Sequence, residues 1–172
     1  GSQITQLSPF ADPMVRILEL VDDLEKVNIN LSHIDLGGGL GITYDDENPV
    51  DVDEYASCIL QAMGNRPHKL LFEPGRVFVG NAGILLTRAT TLKENGGKNY
   101  VVVDAAMNDL IRPALYQAWQ RIETVAQANT ELKTVDIVGP VCESSDFLGK
   151  DRQLSVEEGD LLAIHSSGAY GF

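Results

Sequence analysis

Two short apolar runs, residues 32–36 and 69–72, each stop at a turn built on glycine, and the stretch between them carries the pattern of an amphipathic helix. That arrangement constrains the fold more than any other feature of the chain. Asp51 with Glu54 three residues on forms a capping box, Val52, Tyr55, Ala56, Ile59 and Met63 follow at helical spacing, and Gly64 closes the helix. A strand, a crossover helix and a second strand make a parallel pair. An earlier helix starts at Asp12-Pro13, with Asp as N-cap, and runs to about Val27 through Met14, Ile17, Leu18, Val21 and Leu24. Helix, strand, helix, strand is the rhythm of an α/β sheet or barrel. Two units cannot close a barrel of eight strands, which takes about 250 residues, so the spacing predicts the last portion of one.

The rhythm then changes. Residues 77–83 read as a short connection with two glycines, 84–92 as a strand, 93–98 as a turn and 99–104 as a buried strand, which together make an antiparallel hairpin. Leu110, Ile111, Ala114, Leu115, Ala118, Trp119 and Ile122 repeat at helical spacing with Pro113 in the first turn. Strands follow at 134–138 and 161–165, joined by a loop that holds Cys142. The expected organisation is therefore an α/β part over residues 1–83, ending a (β/α)8 barrel, and a mainly β barrel or sandwich domain over residues 84–172.

Composition removes several classes of function. The 172 residues carry a formal net charge of −12, which excludes the basic face that nucleic acid or an anionic membrane requires. No apolar run is long enough to cross a bilayer, and the N-terminus lacks the pattern of a signal peptide, so the expected location is cytoplasmic. Cys58 and Cys142 are isolated and lack metal-type spacing, and no metal site is expected. The acidic run 44–49 reads as solvated surface, Cys58 as a helix-packing residue, and His33, His68 and His165 as structural.

The chemistry sits at the strand ends. Lys69-Leu70-Leu71-Phe72-Glu73-Pro74-Gly75-Arg76 delivers a carboxylate, a glycine N–H and a guanidinium within four residues. Alone it reads as a strand, a Pro-Gly turn and a surface ion pair. Beside the Gly37-Gly38-Gly39 turn of the first strand it reads instead as a site for an anionic cofactor at the C-terminal end of barrel strands.

Taken in order, Gly37-Gly38-Gly39, Glu73-Pro74-Gly75-Arg76, Asp104-Ala105-Ala106-Met107-Asn108-Asp109, Ile111-Arg112-Pro113-Ala114-Leu115-Tyr116, Gly139-Pro140-Val141-Cys142-Glu143-Ser144-Ser145-Asp146 and Gly168-Ala169-Tyr170-Gly171-Phe172 resemble the motifs of the diaminopimelate decarboxylases. The resemblance covers essentially the whole chain. It implies a pyridoxal 5′-phosphate enzyme of the alanine-racemase-like class, a homodimer with shared active sites, that converts meso-2,6-diaminopimelate to L-lysine and carbon dioxide. It further implies that Gly38, Gly39, Gly75 and Tyr170 hold the cofactor phosphate, that Glu73 holds the ring proton, and that Arg76 lies near both phosphate and substrate. Cys142 is implied as the acid that reprotonates Cα, across the subunit interface. Arg112 for the distal carboxylate, Glu143 for the distal ammonium, Tyr116 as hydrogen-bond donor, and Tyr170 complete the implied substrate contacts.

The departures carry equal weight. None of Lys26, Lys69, Lys93, Lys98, Lys133 or Lys150 stands in the family's Schiff-base motif. The expectation is a piece of a longer enzyme, inactive alone. Two other readings remain: a related decarboxylase of another basic amino acid or carboxylated polyamine, and a non-catalytic homologue. On isolated evidence, Arg112 is more often a helix-surface salt bridge, Tyr116 a core residue and Cys142 a buried structural thiol.

Overall fold

The computed structural model describes residues 1–126 and 130–171, so Phe172, the last residue of the 168–172 motif, lies outside it. Two compact units divide the chain, Gly1–Phe78 and Val79–Phe172.

The first unit runs α1 (Ser8–Lys26), β1 (His33–Asp35), α2 (Val52–Met63) and β2 (Lys69–Leu71). The two strands pair in parallel, Ile34 opposite Leu70, with α2 as the crossover. Asp51 caps α2 through Asp53 N–H and Glu54 N–H, and Gly64 ends it at φ +56°. Helix α1 starts five residues earlier than an Asp12 N-cap with Pro13 first suggests, because Pro9 already supplies a first-turn proline and Phe10 packs edge-on to Tyr55 with ring centroids 4.8 Å apart. Pro13 then lies inside the helix, where it removes the hydrogen bond to the carbonyl four residues back. Met14, Leu18 and Val21 of α1 join Ile34, Tyr55, Ile59 and Met63 in one core.

In the second unit, residues expected to form a bare connection instead coil into the end of a single α-turn (α3, Arg76–Val79) and a 3-10 turn (Gly80–Ala82). Strands β3 (Leu85–Asn95) and β4 (Lys98–Val103) form the hairpin around Gly96-Gly97, both at positive φ. Helix α4 (Ile111–Tyr116) precedes β5 (Ile122–Thr124), β6 (Lys133–Val138), β7 (Phe147–Leu154) and β8 (Leu161–Ile164). The strand order is β5-β8-β3-β4-β6-β7. A bulge between Ala89 and Thr91 lets β3 pair with β8 over Leu85–Arg88 and with β4 beyond it. The two edge strands approach one another, since a Cβ on Gly149 of β7 would lie 2.7 Å from Ile122 Cδ1 of β5, and the sheet is a nearly closed barrel. Val101, Val103, Ile137, Leu148, Leu162 and Ile164 fill it.

Two expectations fail here. The helical stripe to Ile122 stops at Tyr116, because Gln117 turns into the left-handed region at φ +54° and Ile122 belongs to a strand paired with Ile164. Strands at 134–138 and 161–165 are not joined by a loop alone, because 147–154 forms β7, paired antiparallel to β6. No helix among the described residues is long and apolar enough to cross a membrane.

Candidate active site

The candidate residues divide between the units. In the first, parallel pairing continues past the strand ends: Leu36 N–H donates to Leu71 O at 3.0 Å, and Glu73 N–H donates to Gly37 O at 2.8 Å. This brings Gly38 against the Glu73-Pro74 backbone, where a Cβ would lie 3.2 Å from the Glu73 carbonyl carbon and overlap its oxygen. Asp35 Oδ1 accepts from Gly37 N–H at 2.8 Å, which fixes the turn at φ +67°. Gly39, at φ +116°, packs on Ile4 and Phe10. Among the described residues the N–H groups of Gly38, Gly39 and Gly75 make no internal hydrogen bond. Three donors at the ends of paired strands without acceptors among the described residues suit an anion such as a phosphate. Glu73 and Gly75 are exposed.

Arg76 is buried, 8% exposed, and its place is set by residues far off in sequence. It donates to the Tyr44 hydroxyl and, at 2.7 Å, to Ser2 Oγ. Its guanidinium also lies 5.6 Å from the Tyr44 ring centroid. Tyr44, read as part of a solvated acidic loop, is buried instead, and Glu47 Oε2 accepts from the N–H groups of Tyr44 and Asp45 at 2.8 Å.

In the second unit, Ile111 N–H donates to Gly171 O at 2.6 Å, which brings the Tyr170-Gly171 segment to the start of α4, beside Arg112. Arg112 is buried at 9% exposure, so it is no surface salt bridge, while Tyr116 at 70% is no core residue. Tyr170 is exposed, with φ +56°. Cys142 and Glu143 are exposed on the loop between β6 and β7. Glu143 Oε1 faces Ser145 N–H at 3.4 Å.

Sequence reasoning missed Asp146 and Gln120, and gave Asp104 and His165 structural places without their partners. Asp146 is 4% exposed and accepts backbone N–H bonds from Met107 and Val141, each at 2.7 Å. Gln120, fully buried, gives its amide N–H groups to the carbonyls of His165 and Ser166 at 2.9 and 3.1 Å, and so holds the turn before Tyr170. Asp104 Oδ1 accepts from Arg88 N–H at 2.8 Å and Thr87 Oγ at 2.7 Å, and these bonds keep its carboxyl below the usual carboxylate range. His165 Nε2 lies 2.8 Å from Glu123 Oε1, and that bond keeps Glu123 low as well. Tyr44 and Asp146 lie within or beside motifs already singled out, but nothing in the pattern gives their partners. Gln120 sits on the misread helical stripe.

Residues 14–168 match the family described as pyridoxal-dependent decarboxylase, C-terminal sheet domain. The chain is 54% identical over 173 residues to a diaminopimelate decarboxylase of Vibrio cholerae, covering 100% of this chain and 42% of that protein. It is 56% identical over 171 residues to one from Neisseria meningitidis serogroup B, covering 99% and 41%. Among solved structures, diaminopimelate decarboxylase from Helicobacter pylori complexed with L-lysine superposes with a TM-score of 0.93 at 39% identity, over 99% of this chain and 43% of that one. The chain thus spans about two fifths of the length of the curated relatives it matches.

Proposed function

Because the chain belongs to the pyridoxal-dependent decarboxylases, we propose that the protein of which it forms part removes carbon dioxide from meso-2,6-diaminopimelate to give L-lysine, as a cytoplasmic enzyme. The observation that carries this reading is identity of 54–56% with diaminopimelate decarboxylases along essentially the entire chain. The parallel pair of the first unit is then the end of a larger parallel barrel whose other strands lie outside these residues.

Pyridoxal 5′-phosphate supplies the sink for the electron pair left when the carboxyl group departs. The residues present fit it: among the described residues the N–H groups of Gly38, Gly39 and Gly75 make no internal hydrogen bond, which suits an anion. Those three N–H groups and the Tyr170 hydroxyl would bind the phosphate, and the Glu73 carboxylate would keep a proton on the ring nitrogen. Arg76, fixed by Tyr44 and Ser2, would sit beside phosphate and substrate. Cys142 would return a proton to Cα, a step suited to an exposed thiol.

Charge argues for the substrate. The far end of meso-diaminopimelate carries an ammonium and a carboxylate, and Glu143, Arg112 and Tyr116 offer an anion, a cation and a hydroxyl. An ornithine-type substrate has no distal carboxylate for Arg112 to meet.

The test is the full-length enzyme offered meso-diaminopimelate, ornithine, arginine and carboxynorspermidine. A preference of at least about a hundredfold in kcat/KM for diaminopimelate is expected, on the order of 3 kcal/mol; equal or better turnover of ornithine sinks the assignment. A second arm addresses the shared site. Cys142→Ala mixed with a variant lacking the Schiff-base lysine should recover about a quarter of wild-type activity if the thiol acts across a two-fold homodimer. No recovery after verified subunit exchange would mean that Cys142 acts within its own chain or not at all.

A further inference from the structure

We propose that Asp146 is a positioning residue: its carboxylate ties the loop that carries Cys142 and Glu143 to the segment 104–109, and so sets where the proton donor and the substrate-binding carboxylate stand. The inference rests on the decarboxylase reading for its kinetic consequences and on geometry alone for the tie itself.

The loop between β6 and β7 has little to hold it. Cys142, Glu143 and Ser144 are all exposed. Its internal bonds are short-range: Glu143 N–H to Val141 O at 2.8 Å, Asp146 N–H to Glu143 O at 3.0 Å and Gly139 N–H to Asp146 O at 3.1 Å. These close the loop on itself without placing it, and Ser145 Oγ adds only a weak bond to Met107 Sδ, at 3.8 Å. The Asp146 side chain does the placing, because its two oxygens serve different segments. Oδ2 takes Val141 N–H, one residue before Cys142, and Oδ1 takes Met107 N–H, 39 residues away in sequence. A carboxylate has acceptor sites for both bonds, and no other side chain of similar size offers two equivalent oxygens.

Two features fix the carboxylate in turn. A Cβ on Gly139 would lie 2.6 Å from Asp146 Oδ1, closer still to Oδ2, and 2.8 Å from Ala105 O, so the glycine leaves the space the carboxylate occupies. The receiving segment is itself anchored: Asp104 is held by Thr87 and Arg88 of β3, Ala105 N–H by Thr87 Oγ at 3.0 Å, and Ala106 N–H by Asp109 Oδ2 at 2.8 Å. The chain of contacts therefore runs from the rigid β3–β4 hairpin through Met107 and Asp146 to the backbone beside Cys142. An asparagine in place of Asp146 keeps one oxygen but turns an amide N–H₂ towards the other N–H donor, so one of the two ties is lost.

The experiment uses the full-length holoenzyme with Asp146→Asn and, as an independent route to the same displacement, Gly139→Ala. Hydrogen exchange is read peptide by peptide. Peptides covering 104–109 and 139–146 should both exchange faster in each variant, while those covering β6 and β7 keep wild-type protection. In kinetics, kcat for meso-diaminopimelate should fall about 10- to 100-fold, the scale of an ångström-sized misplacement, and KM should rise because Glu143 moves too. In a Cys142→Ala background, Asp146→Asn should lower kcat little further, since it acts through that residue. Unchanged exchange in 139–146, faster exchange spread over β6 and β7, or a kcat loss undiminished in the Cys142→Ala background would each overturn the proposal. If the exchange result holds but the wild-type enzyme ignores diaminopimelate, the functional reading fails and the tie stands.

Discussion

Gly37 and Gly38 are adjacent, yet the structure requires glycine at each for a different reason, and substitution should expose the difference. At Gly37 the backbone lies at φ +67° with nothing within 4 Å of the place a Cβ would take, so the cost of alanine is conformational, about 1–2 kcal/mol. At Gly38 the cost is steric. A Cβ would stand 3.2 Å from the Glu73 carbonyl carbon and overlap its oxygen, so the strand ends must part by about 1 Å to restore the ~3.3 Å of a C–H···O contact. Two backbone bonds resist that parting, Leu36 N–H to Leu71 O and Glu73 N–H to Gly37 O. Losing both costs about 1–3 kcal/mol at ~0.5–1.5 kcal/mol each. Because the alanine costs overlap, asparagine decides between the mechanisms. It enters the left-handed region readily, so Gly37→Asn should be milder than Gly37→Ala, whereas Gly38→Asn should be worse than Gly38→Ala because it is larger. Urea midpoints of the four full-length variants give the order. Gly38→Ala should also weaken pyridoxal 5′-phosphate binding about tenfold or more, for ~1.4 kcal/mol or above, in equilibrium dialysis. The same asparagine-to-alanine order at both positions would refute the reasoning.

Two further outcomes are expected. Asp104 has a folded-state pKa below its ordinary value, so its contribution to stability is present above that ordinary value and disappears as pH falls through the lowered one. Asp104→Asn retains the acceptor oxygen that takes both bonds and removes only the charge, so the urea midpoint of the variant should depend less on pH below about pH 4 than the wild type does, near the ordinary carboxylate pKa; parallel profiles would remove Asp104 from the acid response. Gln120→Leu removes the amide donor from the part-buried carbonyls of His165, which still faces Ser167 Oγ at 3.4 Å, and Ser166, a loss of about 0.5–1.5 kcal/mol for each bond, and a urea midpoint equal to wild type would show that the turn before Tyr170 does not depend on it.

Local and periodic features were legible in the chain itself. The capped helix α2, the glycine-ended strands on either side of it, the hairpin around Gly96-Gly97 and the ordered motifs depend on residue type at fixed short spacing, which backbone sterics and capping translate directly into structure. The failures came where spacing was ambiguous or partners were remote. Ile122 satisfied a helical repeat while belonging to a strand, because an apolar residue serves either period and only its pairing with Ile164 decides. Residues 147–154 alternate weakly, with Lys150, Asp151 and Arg152 in mid-strand, and form β7 because β6 offers a free edge. The candidate residues were named by motif, but what fixes them was not. Arg76 depends on Tyr44 and Ser2, and the Cys142 loop depends on a bond from Met107. Such bonds join segments separated by tens of residues, and no local preference encodes them; they exist only once the sheet and the glycine turns have brought the chain back on itself.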